Sequence, residues 1–377
     1  MSMTDECADS GRPALRIVHL PGGLRAYDIG DANIRIGPDL RCHLLSIPTQ
    51  PYRRVYLALG SIGLDTLGVD FITNTGPISE LQPPDFHIYT AGAGFAAMTG
   101  ERAWSDVKNV PEQATAEILN IAGRFTTYHR LLTLRIRDLS EAYRACLLLH
   151  LTDLDGKYAA PVEGQLFSNL FRTHIEAAMH AFLADAAGLR DLIAETIWRL
   201  VLNRSTREVT TLATILKRTR SSPAEHPLLA ELHAAGAEGR WLKVLTDLRN
   251  AIIHIAPLGN THELHLMQLR LNPVKGGVVP GLHFPLTAAD GTVRPRSEPI
   301  EVRDEAQFKA RRDTYRDFVD GSGDALAYAC QTTALLIGLA ARVRVATGLR
   351  QQMLQITDAD IVGKVRIFKG GVELRAE

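Results

Sequence analysis

Apolar and polar positions change their period several times along the chain. From 13 to about 100, short apolar runs such as LRIVHL, ANIRIG and RRVYLALG are separated by proline and glycine punctuation such as PGG and IGPD. That is the pattern of short strands joined by turns. FHIYTAGAGFAAMTG (86–100) reads as one more strand and a loop. PEQATAEILNIAGRF then opens with a proline and carries glutamates in its first turns, a helix start. LLTLRIRDLSEAYRACLLLHL follows with helical or strand-to-helix texture. From 163 to 256 the apolar residues fall at helical spacing, first in EGQLFSNLFRTHIEAAMHAFLADAAGLRDLIAETIWRLVLN, then in the shorter REVTTLATILKRTR, then in two helices split by a glycine break in HPLLAELHAAGAEGRWLKVLTDLRNAIIHIAP. Between 260 and 300 the texture is β again, with good alternation in HELHLMQLRL and turn signals in GGVVPGLHFPLTAADGTV. Helix returns over 303–350, and KVRIFKGGVELRAE reads as a hairpin turning at KGG.

The expected fold class is therefore α+β. Residues 1–12 form a disordered tail, 13–130 a β-rich N-terminal domain, and 131–377 a mainly helical bundle with a β insertion at about 260–300. Among the 377 residues 46% are hydrophobic and 22% charged, which places the chain with globular proteins rather than disordered ones. Lysine plus arginine balance aspartate plus glutamate at 42 each, so no global basic surface exists for nucleic acid, although a local one can. The four cysteines, Cys7, Cys42, Cys146 and Cys330, lie far apart and read as reduced thiols. MSMTDECADS is too polar and acidic for a signal peptide. ALAYACQTTALLIGLAARV (325–343) is slightly short and too polar for a membrane span, and reads as a buried helix. A cytoplasmic protein without a membrane partner is expected.

The sharpest chemistry lies in WLKVLTDLRNAIIHIAP (241–257). At about 100° per residue, Val244, Leu245, Leu248, Ile252 and Ile255 form an apolar arc. Lys243, Asp247, Asn250 and His254 form a polar stripe on the opposite side. Arg249 joins neither; it falls between Leu245 and Ile253, on the edge of the apolar arc. A guanidinium there needs a partner or an anion. Arg249 and His254 lie roughly 140° apart around the axis and about 7.5 Å along it, so one helix does not aim both at one target. Pro257 ends the helix soon after His254, and a helix C-terminus favours the protonated imidazole. A histidine so placed suits general acid/base work near neutral pH.

Arg249-Asn250-Ala-Ile-Ile-His254 has arginine and histidine separated by four residues, with a polar residue directly after the arginine. This resembles the signature of the HEPN superfamily (higher eukaryotes and prokaryotes nucleotide-binding), and the likeness covers about 140–346. The resemblance implies a helical bundle and a metal-independent endoribonuclease without a cofactor, working as a homodimer with two Arg/His pairs across a two-fold axis. His254 would act as base or acid at the ribose 2′-hydroxyl, Arg249 would hold the scissile phosphate, and Asn250 would orient the site. Cleavage would leave a 2′,3′-cyclic phosphate. Substrates would be RNA, with tRNA a candidate. The protein would serve as a toxin or antiphage-defence effector, with an antitoxin, regulatory partner or ligand at its N-terminal domain. Inactive members of the family imply the alternative, a dimerising or nucleotide- and RNA-binding module.

An ordinary structural role is the competing expectation: Arg249 pairs with a buried carboxylate such as Glu176 or Asp185, while His254 caps the helix end. Further substrate contacts are expected from Lys243, Asp247, Arg172, Lys217 and Arg218, the last two in the basic run LKRTR. Neither the His174/His180 spacing nor His262, Glu263, His265 and His283 matches a metal site, since His262 and His265 point to opposite faces of a strand. No metal is expected.

Overall fold

The computed structural model describes residues 15–29, 32–50, 54–72, 85–152, 158–204, 208–252, 258, 266–288, 304–353, 367–369 and 372–374. The chain begins with four strands, β1 (Leu15–His19), β2 (Arg25–Asp28), β3 (Asn33–Gly37) and β4 (Leu45–Pro48), then helix α1 (Val55–Ser61) and strands β5 (Gly68–Ile72) and β6 (Asp85–Ile88). These six strands form one antiparallel sheet in the order β4-β3-β2-β1-β5-β6. Ala26, Ile34, Ile36, Val18 and Val69 fill its inner face.

Within RRVYLALG, expected as a strand, VYLALG forms helix α1 instead. Val55, Tyr56 and Leu59 are its buried positions, a spacing that suits one helical face as well as a strand run. AAMTG, the end of the stretch expected as a strand and a loop, opens helix α2 (Ala96–Val107), with Trp104 stacked flat on Phe125 of the next helix at 3.9 Å between ring centres.

Helix α3 (Ala116–Leu151) is the longest element, 36 residues. Thr115 caps it by accepting from the Ile118 N–H at 3.3 Å. Its buried positions include Ile121, Phe125, Leu132, Ile136, Leu139 and Tyr143, spaced by three, four or seven residues as one helical face requires. The boundary expected near 130 falls inside this helix. Sheet and bundle bury their apolar faces in a single cluster that runs through α3, so there is no linker at that position.

Next come β7 (Leu166–Phe167) and α4 (Arg172–Thr196), which continues as a π-turn over Ile197–Val201. Helices α5 (Leu212–Arg218), α6 (Pro227–Ala235) and α7 (Trp241–Asn250) follow. The β insertion comprises β8 (Met267–Val274), β9 (Gly277–His283) and β10 (Pro285–Thr287). β7 and β8 pair at the start of α4, so the insertion belongs to the foot of the bundle. Helix α8 (Glu305–Gly321), strand β11 (Gly323–Asp324) and helix α9 (Ala325–Ala346) follow, then a hairpin of β12 (Ile367–Lys369) and β13 (Val372–Leu374).

Helix α9 is long and apolar enough to cross a membrane by length and composition, and half of its apolar window is buried inside the protein against α2, α3 and α4. The helices α3, α4, α7 and α9 and the antiparallel sheets make this an α+β fold with a β-rich N-terminal region. Cys42, Cys146 and Cys330 are free thiols, while Cys7 lies outside the described residues.

Candidate functional site

Helix α7 folds as its wheel predicts. Leu242, Val244, Leu245 and Leu248 are buried, and Ile252 continues the stripe where the backbone widens into π-type turns at Ala251 and Ile252. On the polar side Lys243 Nζ donates to both Asp247 oxygens, at 2.7 and 2.6 Å, and that hydrogen bond raises the lysine pKa. Asn250 is exposed at the end of the helix. Arg249 is half-buried, and its Nη1 donates to Asn250 Oδ1 at 3.1 Å. His254 lies outside the described residues.

Arg249 and Asn250 form part of the rim of a cleft of about 370 Å³ between α4, α5 and α7, closed below by the turn at Gly236. Lys243 lines it from α7, and Arg190 and Asp191 from α4. Arg190 is buried to 8% exposure. Its Nε donates to Asp191 Oδ1 at 2.9 Å and its Nη1 to Thr246 Oγ1 at 2.8 Å, which ties α4 to α7. Asp191 Oδ1 also accepts from the Leu212 N–H at 3.0 Å. Three cationic side chains and one carboxylate thus surround a pocket with an apolar base of Leu212, Leu216 and Leu242. Guanidinium and ammonium groups at a half-enclosed site suit the oxygens of a phosphodiester, because the local dielectric is low and charge-assisted hydrogen bonds are strong there.

The two carboxylates offered as hidden partners of Arg249 have other arginines. Glu176 lies 3.2 Å from Arg172 Nε, and Asp185 accepts from Arg135 Nε at 2.8 Å.

The remaining expected contacts scatter. Arg172 opens α4, eighteen residues before Arg190 and so roughly 27 Å away along the helix. Lys217 is exposed at the end of α5. Arg218 pairs with Glu208 at 2.6 Å and sits 5.8 Å from the centre of the Trp198 ring. Asp247 is occupied by Lys243 and does not line the cleft. Of the expected residues the structure gathers Arg249, Asn250 and Lys243 there, and leaves Arg172, Lys217, Arg218 and Asp247 outside.

His174 is exposed beside Phe171. His180 Nε2 accepts from the Leu258 N–H at 2.9 Å, which pins the chain beyond the motif to α4. His283 is buried on Ser322 Oγ at 2.8 Å, while His262, Glu263 and His265 lie outside the described residues.

Sequence reasoning did not single out Arg190. The signal was present, because Ala186, Arg190 and Ile193 share one buried face of α4. A charge in an apolar arc raises the same demand there as at Arg249. Thr246 carried no signal of its own, since its hydroxyl matters only once Arg190 is placed opposite.

No family model, no curated protein and no solved structure matches this chain.

Proposed function

We propose that the chain is an endoribonuclease of HEPN type, cutting RNA without a metal ion and serving as a toxin or antiphage-defence effector. The observation that carries this reading is the placement of Arg249, hydrogen-bonded to Asn250, on the rim of a cleft that also holds Lys243 and Arg190. The motif alone asks for a phosphate opposite Arg249; the cleft sets two more cations beside it, Lys243 and Arg190, each paired with an aspartate. His254, four residues past Asn250 in sequence, would take the proton from the ribose 2′-hydroxyl, which attacks the adjacent phosphorus. Arg249 would stabilise the charge that develops on the phosphate oxygens. The leaving 5′-oxygen takes up a proton, and a 2′,3′-cyclic phosphate remains. A second copy would complete the site with its own Arg/His pair, as the family resemblance implies.

The test incubates RNA and tRNA with the wild type, Arg249→Ala and His254→Ala in the presence of EDTA. The wild type should release products ending in a 2′,3′-cyclic phosphate. Each variant should lose activity by about a hundredfold or more, the range for removing a general base or a charge-stabilising donor. The reading fails if EDTA abolishes cleavage or if both variants cut as well as the wild type. A wild type that binds RNA but never cuts it replaces the enzyme with a non-catalytic RNA-binding module.

A further inference from the structure

A second and larger cleft, of about 760 Å³, lies between strand β6 and helices α2 and α3. Arg130, Leu134 and Arg137 face it from successive turns of α3, and Met98 and Arg102 from successive turns of α2. Two of these apolar side chains are left in water: Met98 is 40% exposed and Leu134 45%. Two helix faces thus present arginines interleaved with exposed apolar groups.

Arg137 is held in place from behind. Its Nε and Nη2 donate to the two oxygens of Asp70, at 2.9 and 3.2 Å. Asp70 is only 2% exposed, and its other support is His19 Nε2 at 3.1 Å. His19 in turn meets Ser140 Oγ at 3.1 Å through Nδ1. A buried carboxylate is costly unless it is paired and hydrogen-bonded, and this one anchors an arginine whose remaining N–H groups lie on the edge away from Asp70. His19, Asp70 and Glu141 bring their donor atoms within 4.8 Å of one another. Their carboxylates are nonetheless committed to guanidiniums, Asp70 to Arg137 and Glu141 to Arg25 and Arg144, so the cluster is a positioning network and not a cation site.

Three acidic residues, Asp85, Glu101 and Asp106, also line the cleft, and two of them have partners. Arg130 Nε donates to Glu101 at 2.6 Å, and Asp85 lies 3.1 Å from His87 Nε2. The Arg130–Glu101 pair is exposed, and such pairs contribute little, so a ligand anion displaces Glu101 at small cost.

We propose that this cleft binds a small amphipathic anion, a phosphate or carboxylate head gripped by Arg137 with Arg102 and Arg130, carrying an apolar body that covers Met98 and Leu134. The rigidly held Arg137 supplies direction, and the two flexible arginines close over the head. Neither the head nor the body alone satisfies the lining.

Calorimetric titration of the full chain with AMP, octanoate and inorganic phosphate tests this and separates phosphate from carboxylate heads. At least one organic anion should bind saturably, about tenfold or more tighter than inorganic phosphate. Arg137→Gln and Leu134→Asp should each weaken that binding about tenfold. Arg102→Gln, on an exposed helix face, provides a variant that keeps the core intact and should also weaken binding. The proposal is overturned if neither organic anion binds at millimolar concentration. It is also overturned if inorganic phosphate binds equally well, or if the Arg102 and Leu134 variants bind as the wild type does.

Discussion

Arg249 and Arg190 meet one constraint from opposite walls of the smaller cleft: each projects from an apolar helix face and must find acceptors. Arg190 finds Asp191 and Thr246. Arg249 Nη1 donates to its neighbour Asn250 where the two line the cleft. Replacing Asn250 with alanine should therefore cut RNA cleavage about tenfold, close to 1.4 kcal/mol in the barrier, while the melting temperature stays the same, since Asn250 is exposed. A fall in melting temperature with unchanged cleavage would make Asn250 a structural cap only.

His19 shows the same economy in the core. Burial, helped by the nearby Arg25 charge and opposed by Asp70, lowers its pKa to about 4. It is therefore neutral at pH 7, with Nε2–H donating to Asp70 and Nδ1 accepting from Ser140. Burial alone would raise the Asp70 carboxyl, but hydrogen bonds from His19 and Arg137, with the Arg137 charge, hold it below the ordinary range. Glu141 is likewise resisted by burial and then drawn down to about 2 by Arg25 and Arg144. All three groups take up protons more readily in the unfolded chain, so stability is full above pH 6.5 and falls on acidification. For His19 the loss runs from about pH 6.5 to about 4 and amounts to at most about 3 kcal/mol. Denaturant unfolding at pH 7 and pH 5 should show about 2 kcal/mol of this drop, and His19→Gln should flatten it. An unchanged slope would mean that His19 titrates normally. The motif arginine, its asparagine and the lysine one stripe away were legible in the sequence because helical period is local. The partners His19, Asp70 and Ser140 were not, since they are 51 and 121 residues apart from His19 and only the fold joins them.

At the scale of elements, periodicity predicted α7, α9 and the terminal hairpin. It failed at α1, whose seven residues are too few to separate a strand from one helical face. It also could not show that AEILNIAGRF and LLTLRIRDLSEAYRACLLLHL are one helix, because no local signal marks continuity. The PGG punctuation was read correctly as a turn, and its reason is tertiary. Gly23 has φ +87, and a Cβ there would lie 2.7 Å from the Tyr143 carbonyl carbon of α3. The turn presses backbone to backbone against the long helix. Gly23→Ala should cost about 3 kcal/mol or more, from left-handed strain plus the clash. Gly92→Ala, at φ +80 with nothing within 4 Å, should cost only about 1–2 kcal/mol. Equal losses in thermal unfolding would remove the turn–helix contact from the account of stability.

At the scale of the whole molecule, the division expected near 130 becomes a test of how the fold coheres. Cutting there leaves Leu132, Ile136, Leu139 and Tyr143 on one fragment, and Phe125, Trp104 and the sheet on the other. Each of these four side chains is fully buried, and burial of one such side chain is worth roughly 1.5–3 kcal/mol. Uncovering all four would forfeit roughly 6–12 kcal/mol, as much as the net stability of a typical domain, and the share lost is whatever packs on the N-terminal fragment rather than on α4 and α9. The cut also separates Arg137 from Asp70 and Glu141 from Arg25, stranding charges that are buried only because they are paired. Fragments 13–130 and 131–377 should therefore fail to fold alone and should recover structure only when produced together. Cooperative thermal unfolding of each fragment on its own would overturn this. A fragment 131–377 that folded and cut RNA alone would make the sheet an accessory. If it folds only with the sheet, any ligand in the cleft between β6, α2 and α3 acts on the same cooperative unit that carries Arg249, because α3 lines that cleft and packs along α4, which forms one wall of the other.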